Sequence, residues 1–111
     1  MAYINIIVVQ YGNSAATLRC LASLELQLHG GCRVLVIDNA SPEIDRVTVS
    51  TWCAGRQYIT FKALAQNHGY AGGNNIGIAH ALRQNADYIF ILNNDCILKS
   101  DTVKKLASFM D

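Results

Sequence analysis

The chain has 111 residues, of which 51% are apolar and only 15% charged, and its formal net charge is +1. That length supports one domain around one core, and nine scattered basic residues exclude the concentrated positive patch of a nucleic-acid binder. No apolar run is long enough to span a membrane, and the N-terminal residues lack the basic start of a secretion signal.

Taken in chain order, the first element is an apolar run at residues 4–9, almost continuous and rich in Ile and Val. It reads as a strand buried on both faces, as in a parallel sheet. Residues 14–28 follow with Leu18, Leu21, Leu24 and Leu28 at helical spacing, Asn13 or Ser14 as N-cap, and Gly30-Gly31 beyond the end. A second strand is expected at 34–37. Residues 41–55 commit to no single period, although Pro42 starts something. A third strand is expected at 58–61. A helix from about Gly73 to Arg83 should turn Ile76, Ala79 and Leu82 inward. A fourth strand lies at 88–92, and a last helix begins near Ser100, with Val103, Leu106 and Phe109 or Met110 as its apolar face.

Strands alternating with helices imply right-handed βαβ units. The expected fold class is therefore α/β: a mostly parallel sheet of about four strands flanked by helices in three layers. The whole chain, 1–111, reads as a single domain. Few charges beside many apolar residues suggest surface awaiting a partner, either a further domain or a second copy, so a homodimer is left open.

Cys20, Cys32, Cys53 and Cys96 form no C-x-x-C pair, and the three histidines do not join them at zinc-like spacing. Cys20, Cys32 and Cys96 sit among apolar neighbours as small hydrophobes. A reduced cytoplasmic location is the expectation, peripheral to the inner membrane in a full-length protein. Arg19, Arg33, Arg46 and Arg56 are spaced like solvated positions.

Each apolar run leads into a compact polar cluster. These are Gln10-Tyr11-Gly12-Asn13-Ser14, Asp38-Asn39-Ala40-Ser41, the stretch from Gln66 through Asn67, Gly69, Gly72, Gly73 and Asn74 to Asn75, and Asn93-Asn94-Asp95. In a parallel sheet the C-terminal strand ends share one edge, and open α/β sheets bind ligands in the crevice outside it. Four convergent clusters argue for one site.

The chemistry of these clusters suits a nucleotide. Asp38 could accept an imide N–H of uracil or thymine, or the N1–H of guanine, or could simply cap the turn at Ser41. Tyr11 offers a flat ring for a base, or is an ordinary half-buried aromatic. Gly72-Gly73 before a helix lets backbone approach an anion, and Asn67, Asn74 and Asn75 could hold ribose and base edges or only the loop itself. Asp95, directly after a buried strand, could hold Mg2+ or Mn2+ with phosphate oxygens completing the shell, or could be a turn residue. Asp101 is a second candidate for the metal, although helix capping suits it better.

The blocks Ile6-Ile7-Val8-Val9-Gln10-Tyr11, Val36-Ile37-Asp38-Asn39-Ala40-Ser41-Pro42, Asn67-His68-Gly69-Tyr70-Ala71-Gly72-Gly73-Asn74-Asn75-Ile76-Gly77 and Leu92-Asn93-Asn94-Asp95 resemble the signature blocks of family 2 glycosyltransferases, in family order and spacing. The rhamnosyltransferase-like branch is the nearest in pattern. The resemblance implies the nucleotide-binding half of a GT-A fold, Rossmann-like, with a nucleoside-diphosphate sugar (UDP- or dTDP-linked) as ligand. It implies Gln10, Tyr11, Asp38, Asn39, Asn67, Gly69, Gly72, Gly73, Asn74, Asn93 and Asn94 as the binding set, Asp95 as the metal ligand, and Mg2+ or Mn2+ as cofactor. Two departures stand out: Asn93 replaces the first acid of the family's D-x-D motif, and Gly12 follows Tyr11 where Asn is commoner.

The resemblance also implies inverting sugar transfer to an acceptor hydroxyl, in cell-surface polysaccharide synthesis, with a catalytic base expected beyond Asp111. The alternative is a binding module without turnover of its own. G-x-G-x-x-G after the first strand and the P-loop Gly-Lys-Ser/Thr are both absent.

Overall fold

The structure is a computed structural model and describes residues 2–110. Its elements are β1 (Ile4–Gln10), α1 (Ser14–Glu25), β2 (Cys32–Asp38), α2 (Glu43–Cys53), β3 (Ile59–Ala63), α3 (Gly69–Arg83), β4 (Tyr88–Asn93) and α4 (Thr102–Met110). The four strands form one sheet in the order β3-β2-β1-β4, and every pair is parallel. The α/β class, the strand number and the three layers agree with expectation.

The continuous apolar runs are explained by burial on both faces. Ile6, Val8, Val34 and Val36 face one layer, where they meet Cys20, Leu21 and Leu24 of α1, Val49 and Cys53 of α2 and Val103 of α4. Ile7, Val9, Leu35 and Ile37 face the other, where α3 supplies Ala81, Ile76 and Ile78. Fully burying a side chain such as Leu21 or Leu24 stabilises the fold by about 1.5–3 kcal/mol.

Helix α3 lies unusually close to β1. A Cβ at Gly73 would stand 2.9 Å from Val9 Cγ1, and one at Gly77 would stand 2.6 Å from Ile7 Cγ2. The two glycines, one helical turn apart, make a smooth track on which the helix rests against the central strand.

Several local expectations are corrected. The unassigned stretch at 41–55 contains α2. Helix α1 stops at Glu25 rather than Leu28: Leu26 turns out to solvent while Leu28 folds back onto the core. Neither Asn13 nor Ser14 caps α1 through its side chain; instead the Ser14 N–H donates to Asp45 Oδ1 of α2 at 3.2 Å. Helix α3 begins at Gly69, four residues before the expected Gly73. This places Gly72 and Gly73 inside the helix, not in a loop ahead of it. Leu82 points outward and Ala81 takes the inner position. In α4 only Val103 is buried, leaving Leu106, Phe109 and Met110 exposed. Arg56 is not merely solvated, since it lies over the Trp52 ring at 3.7 Å and pairs with Glu25.

All four cysteines are free, and Cys53 is as buried as Cys20 and Cys32. Among the described residues no helix is long and apolar enough to cross a membrane.

Candidate functional site

Strand register decides whether the polar clusters meet. Gln10 pairs with Asp38, Val9 with Asn93, and Asp38 with Ala63. The C-terminal ends of all four strands therefore lie level along one rim. Side-chain hydrogen bonds then tie the loops to one another. Gly12 N donates to Ser41 Oγ (2.9 Å), Asn39 Nδ2 to Gly69 O (2.9 Å), His68 N to Asn39 Oδ1 (2.8 Å), and the Tyr70 hydroxyl to Asn93 Oδ1 (2.7 Å).

The twelve residues singled out in the sequence share the rim but divide by exposure. Tyr11 is 59% exposed and offers a free ring face. Asn67, Gly69, Asn93 and Asp95 are exposed, and Gly72 and Asn94 half-buried. Gln10, Asp38, Asn39, Gly73 and Asn74 are buried.

Asp38 is 0% exposed, and both its carboxylate oxygens are engaged internally. Oδ1 accepts from Gln10 Nε2 at 2.9 Å and Oδ2 from the Ser41 N–H at 3.2 Å. In this conformation it caps the turn after β2 and fixes the Gln10 amide. Gln10 and Asp38 share the sheet face of Val8 and Val36, so they turn in under the α1–α2 layer. With Nε2 spent on Asp38, Gln10 Oε1 is buried without a donor, and Asn74 Oδ1 in α3 is in the same state. Unpaired buried carbonyl oxygens are rare enough to need a reason.

Asn39 is committed on both sides of its amide, holding the segment that opens α3. Asn67 Oδ1 accepts from Gly69 N at 2.7 Å, closing a tight turn for which Gly69, at φ +74°, has the required freedom. The requirement for glycine at 73 comes from Val9.

Asn93 is the last residue of β4, and Asn94 and Asp95 turn away from it. Asn94 Nδ2 donates to the buried Thr17 Oγ1 of α1 at 3.1 Å. The backbone oxygen of Asn93 receives both the Cys96 N–H (3.1 Å) and the Cys20 thiol (3.7 Å). Burial pushes the Cys20 thiol up to about 11, with Cys96 and the Asp95 carboxylate adding to the rise, so it stays a neutral donor.

Thr17 and Tyr70 hold Asn94 and Asn93 by side-chain hydrogen bonds, and the sequence alone singled out neither. Tyr70 lies within the 67–77 segment but carries no distinguishing signal there, and Thr17 carries none beyond its helical position.

Asp101 does not join Asp95 at the rim. It lines a hollow with Ala2, Ile4 and His29, at the N-terminal edge of the sheet. Its carboxylate pairs with Lys105 at 3.0 Å, and that hydrogen bond holds it below its ordinary value. Among the described residues no three His, Cys, Asp or Glu side chains form a metal cluster.

Residues 5–111 match the sequence profile of Glycosyl transferase family 2. The chain belongs to that family. It is 29% identical over 105 residues to the dTDP-rhamnosyl transferase RfbF of Shigella flexneri, covering 95% of this chain and 33% of that protein. It is 28% identical over 104 residues to the low-salt glycan biosynthesis hexosyltransferase Agl10 of Haloferax volcanii, covering 93% and 31%. This family 2 chain thus spans about a third of the length of these relatives. Among solved structures, the mannosyltransferase PcManGT of Pyrobaculum calidifontis, in complex with GDP-Man and Mn2+, superposes with a TM-score of 0.82 at 18% identity, over 98% of this chain and 32% of that one. The S. aureus TarS fragment 1–349 in complex with UDP-GlcNAc gives 0.77 at 20% identity, over 98% and 31%. These likenesses establish the shared fold, the GT-A fold expected from the sequence.

Proposed function

We propose that the strand-end rim binds the nucleoside-diphosphate part of a nucleotide sugar, UDP- or dTDP-linked, as the donor site of a longer glycosyltransferase. The observation that carries this is the level register of the four strands, whose C-terminal ends lead into Tyr11, the loop with Asn67 and the Asn93-Asn94-Asp95 turn along one accessible edge. The name of one relative, a dTDP-rhamnosyl transferase, agrees with that class of donor.

Tyr11 takes the base against its exposed ring face. The unpaired oxygens of Gln10 and Asn74 are acceptors that an imide N–H or a ribose hydroxyl entering the rim would satisfy. Asp38 acts by holding Gln10 in place rather than by meeting the base from the surface. The N-terminal turn of α3, at the positive end of the helix dipole, favours the negative diphosphate.

The donor set fits a hard cation of one kind only. A single exposed carboxylate, Asp95, with the Asn94 amide oxygen beside it, does not make a cage for a free ion. It does suit Mg2+ or Mn2+, which take one or two protein carboxylates together with phosphate oxygens. Asp95 would hold such an ion, whose chemistry is Lewis-acid stabilisation of the departing diphosphate. The chain's own residues bind and orient the leaving group. Inverting transfer to an acceptor hydroxyl is proposed for the full-length protein, and no residue of this chain is assigned as its base.

Calorimetric titration of the 111-residue chain with UDP, dTDP and GDP, each with and without Mn2+, tests the reading. Saturable binding of UDP or dTDP, tighter with Mn2+, is expected. No heat from any of the three at millimolar concentration would sink it.

A further inference from the structure

The turn after β4 is gripped from both layers, and the two grips have opposite polarity. A carboxamide carries one acceptor oxygen and one donor NH2. Asn93 lies level with Val9 and so on the α3 face, where the Tyr70 hydroxyl donates to its Oδ1 at 2.7 Å. Its oxygen is thereby engaged, and the NH2 is left for a ligand. On the other face Thr17 Oγ1 takes the Asn94 NH2 at 3.1 Å, so Asn94 offers its oxygen. In sequence the turn then presents a donor, an acceptor and a carboxylate.

We propose that Tyr70 is a positioning residue: by holding Asn93 Oδ1, it turns the Asn93 NH2 toward the diphosphate and keeps position 93 out of the metal's coordination. The proposal rests on the rim being a nucleoside-diphosphate site. It gives a physical reason for an amide where a second acid would be expected. An NH2 donates to a phosphate oxygen without a metal to bridge them, whereas a carboxylate there would repel the same oxygen. Tyr70 reaches Asn93 from the first turn of α3, so seating of that helix on β1 through Gly73 sets the placement of the amide.

The test is titration of UDP, without metal and then with Mn2+, into the wild-type chain, Tyr70→Phe, Asn93→Ala and the double variant. Tyr70→Phe is expected to weaken metal-free UDP binding about five- to tenfold, the scale of one lost hydrogen bond. Asn93→Ala should weaken it by a similar factor, and the double variant no further, because Tyr70 acts only through Asn93. The further tightening on adding Mn2+ should be the same in the wild type, Asn93→Ala and the double variant, and no smaller in Tyr70→Phe, where the Asn93 oxygen is released to the metal. Unchanged UDP affinity in Tyr70→Phe, or losses that multiply in the double variant, would overturn the proposal. Should Tyr70→Phe fail to fold, Asn93→Asp decides: weaker metal-free UDP binding together with stronger Mn2+ binding supports it, and unchanged UDP binding refutes it. Wild-type protein that ignores UDP altogether would refute the site itself, a different result from a wild type that binds beside an indifferent Tyr70→Phe.

Discussion

Replacing Gly77 by alanine tests the packing that places α3, and with it Tyr70, at the rim. The added methyl would lie 2.6 Å from Ile7 Cγ2, 2.9 Å from Cδ1 and 3.3 Å from Cγ1. Ile7 cannot easily yield, because it is fully buried in the central strand and paired on both sides with Leu35 and Ile91. Overpacking of this kind costs about 1–3 kcal/mol, while alanine in place of glycine within a helix returns about 1 kcal/mol. The net expectation for Gly77→Ala is destabilisation by about 1 kcal/mol, or a fall in Tm of about 4 °C for a chain of this size. Ile7→Ala alone should cost about 3 kcal/mol. In the double variant the new methyl fills part of the vacated space, so the total should fall short of the sum by about 1 kcal/mol. Urea denaturation of the four proteins measures all of these. A Gly77→Ala protein more stable than wild type, or strictly additive losses, would refute the close seating of α3 on β1.

Asp95→Ala should leave Tm unchanged within about 2 °C, since Asp95 is an exposed turn residue, while abolishing the extra thermal stabilisation that Mn2+ gives to the UDP complex; thermal shift with and without metal checks both. Tyr11→Ala should weaken UDP binding by about 1–3 kcal/mol through lost stacking, equally with and without Mn2+, as calorimetry would show. Burial raises the thiols of Cys20, Cys32 and Cys53 from 9.0 to about 11. The native chain therefore keeps protons that the unfolded chain releases above 9, and stability should fall as pH rises from about 9 to 11. Denaturation midpoints across that range test this, and a cysteine-free variant with serine at the four positions should lose that part of the pH dependence.

Much of the fold was legible because burial on both faces leaves a plain mark. The run at 34–37 is apolar at every position and that at 4–9 at all but Asn5, and they became the two inner strands. The same continuity hides orientation. With no alternation to show which face Gln10 or Asp38 shares, nothing in the sequence indicates that both turn in beneath α1 and α2 while Asn93 turns toward α3. The four clusters were legible as one edge, yet their division into an exposed set and a buried supporting set depends on face and neighbours. Gly72-Gly73 shows the limit most clearly. A glycine pair near a helix start signals close approach of backbone, and close approach there is, but at Gly73 it is to Val9 of the sheet. Asp101 shows another: six residues after Asp95 in sequence, it lies at the other end of the sheet because the chain between them runs back along the strands.

The most direct measurement of the central claim is paramagnetic broadening of amide NMR signals by Mn2+ in the presence of UDP. Loss of the Asn93, Asn94, Asp95 and Tyr70 signals is expected at substoichiometric Mn2+, with those of His29, Ser100 and Asp101 at the far edge untouched. Broadening centred on Asp101 and His29, or spread evenly over the surface, would contradict it.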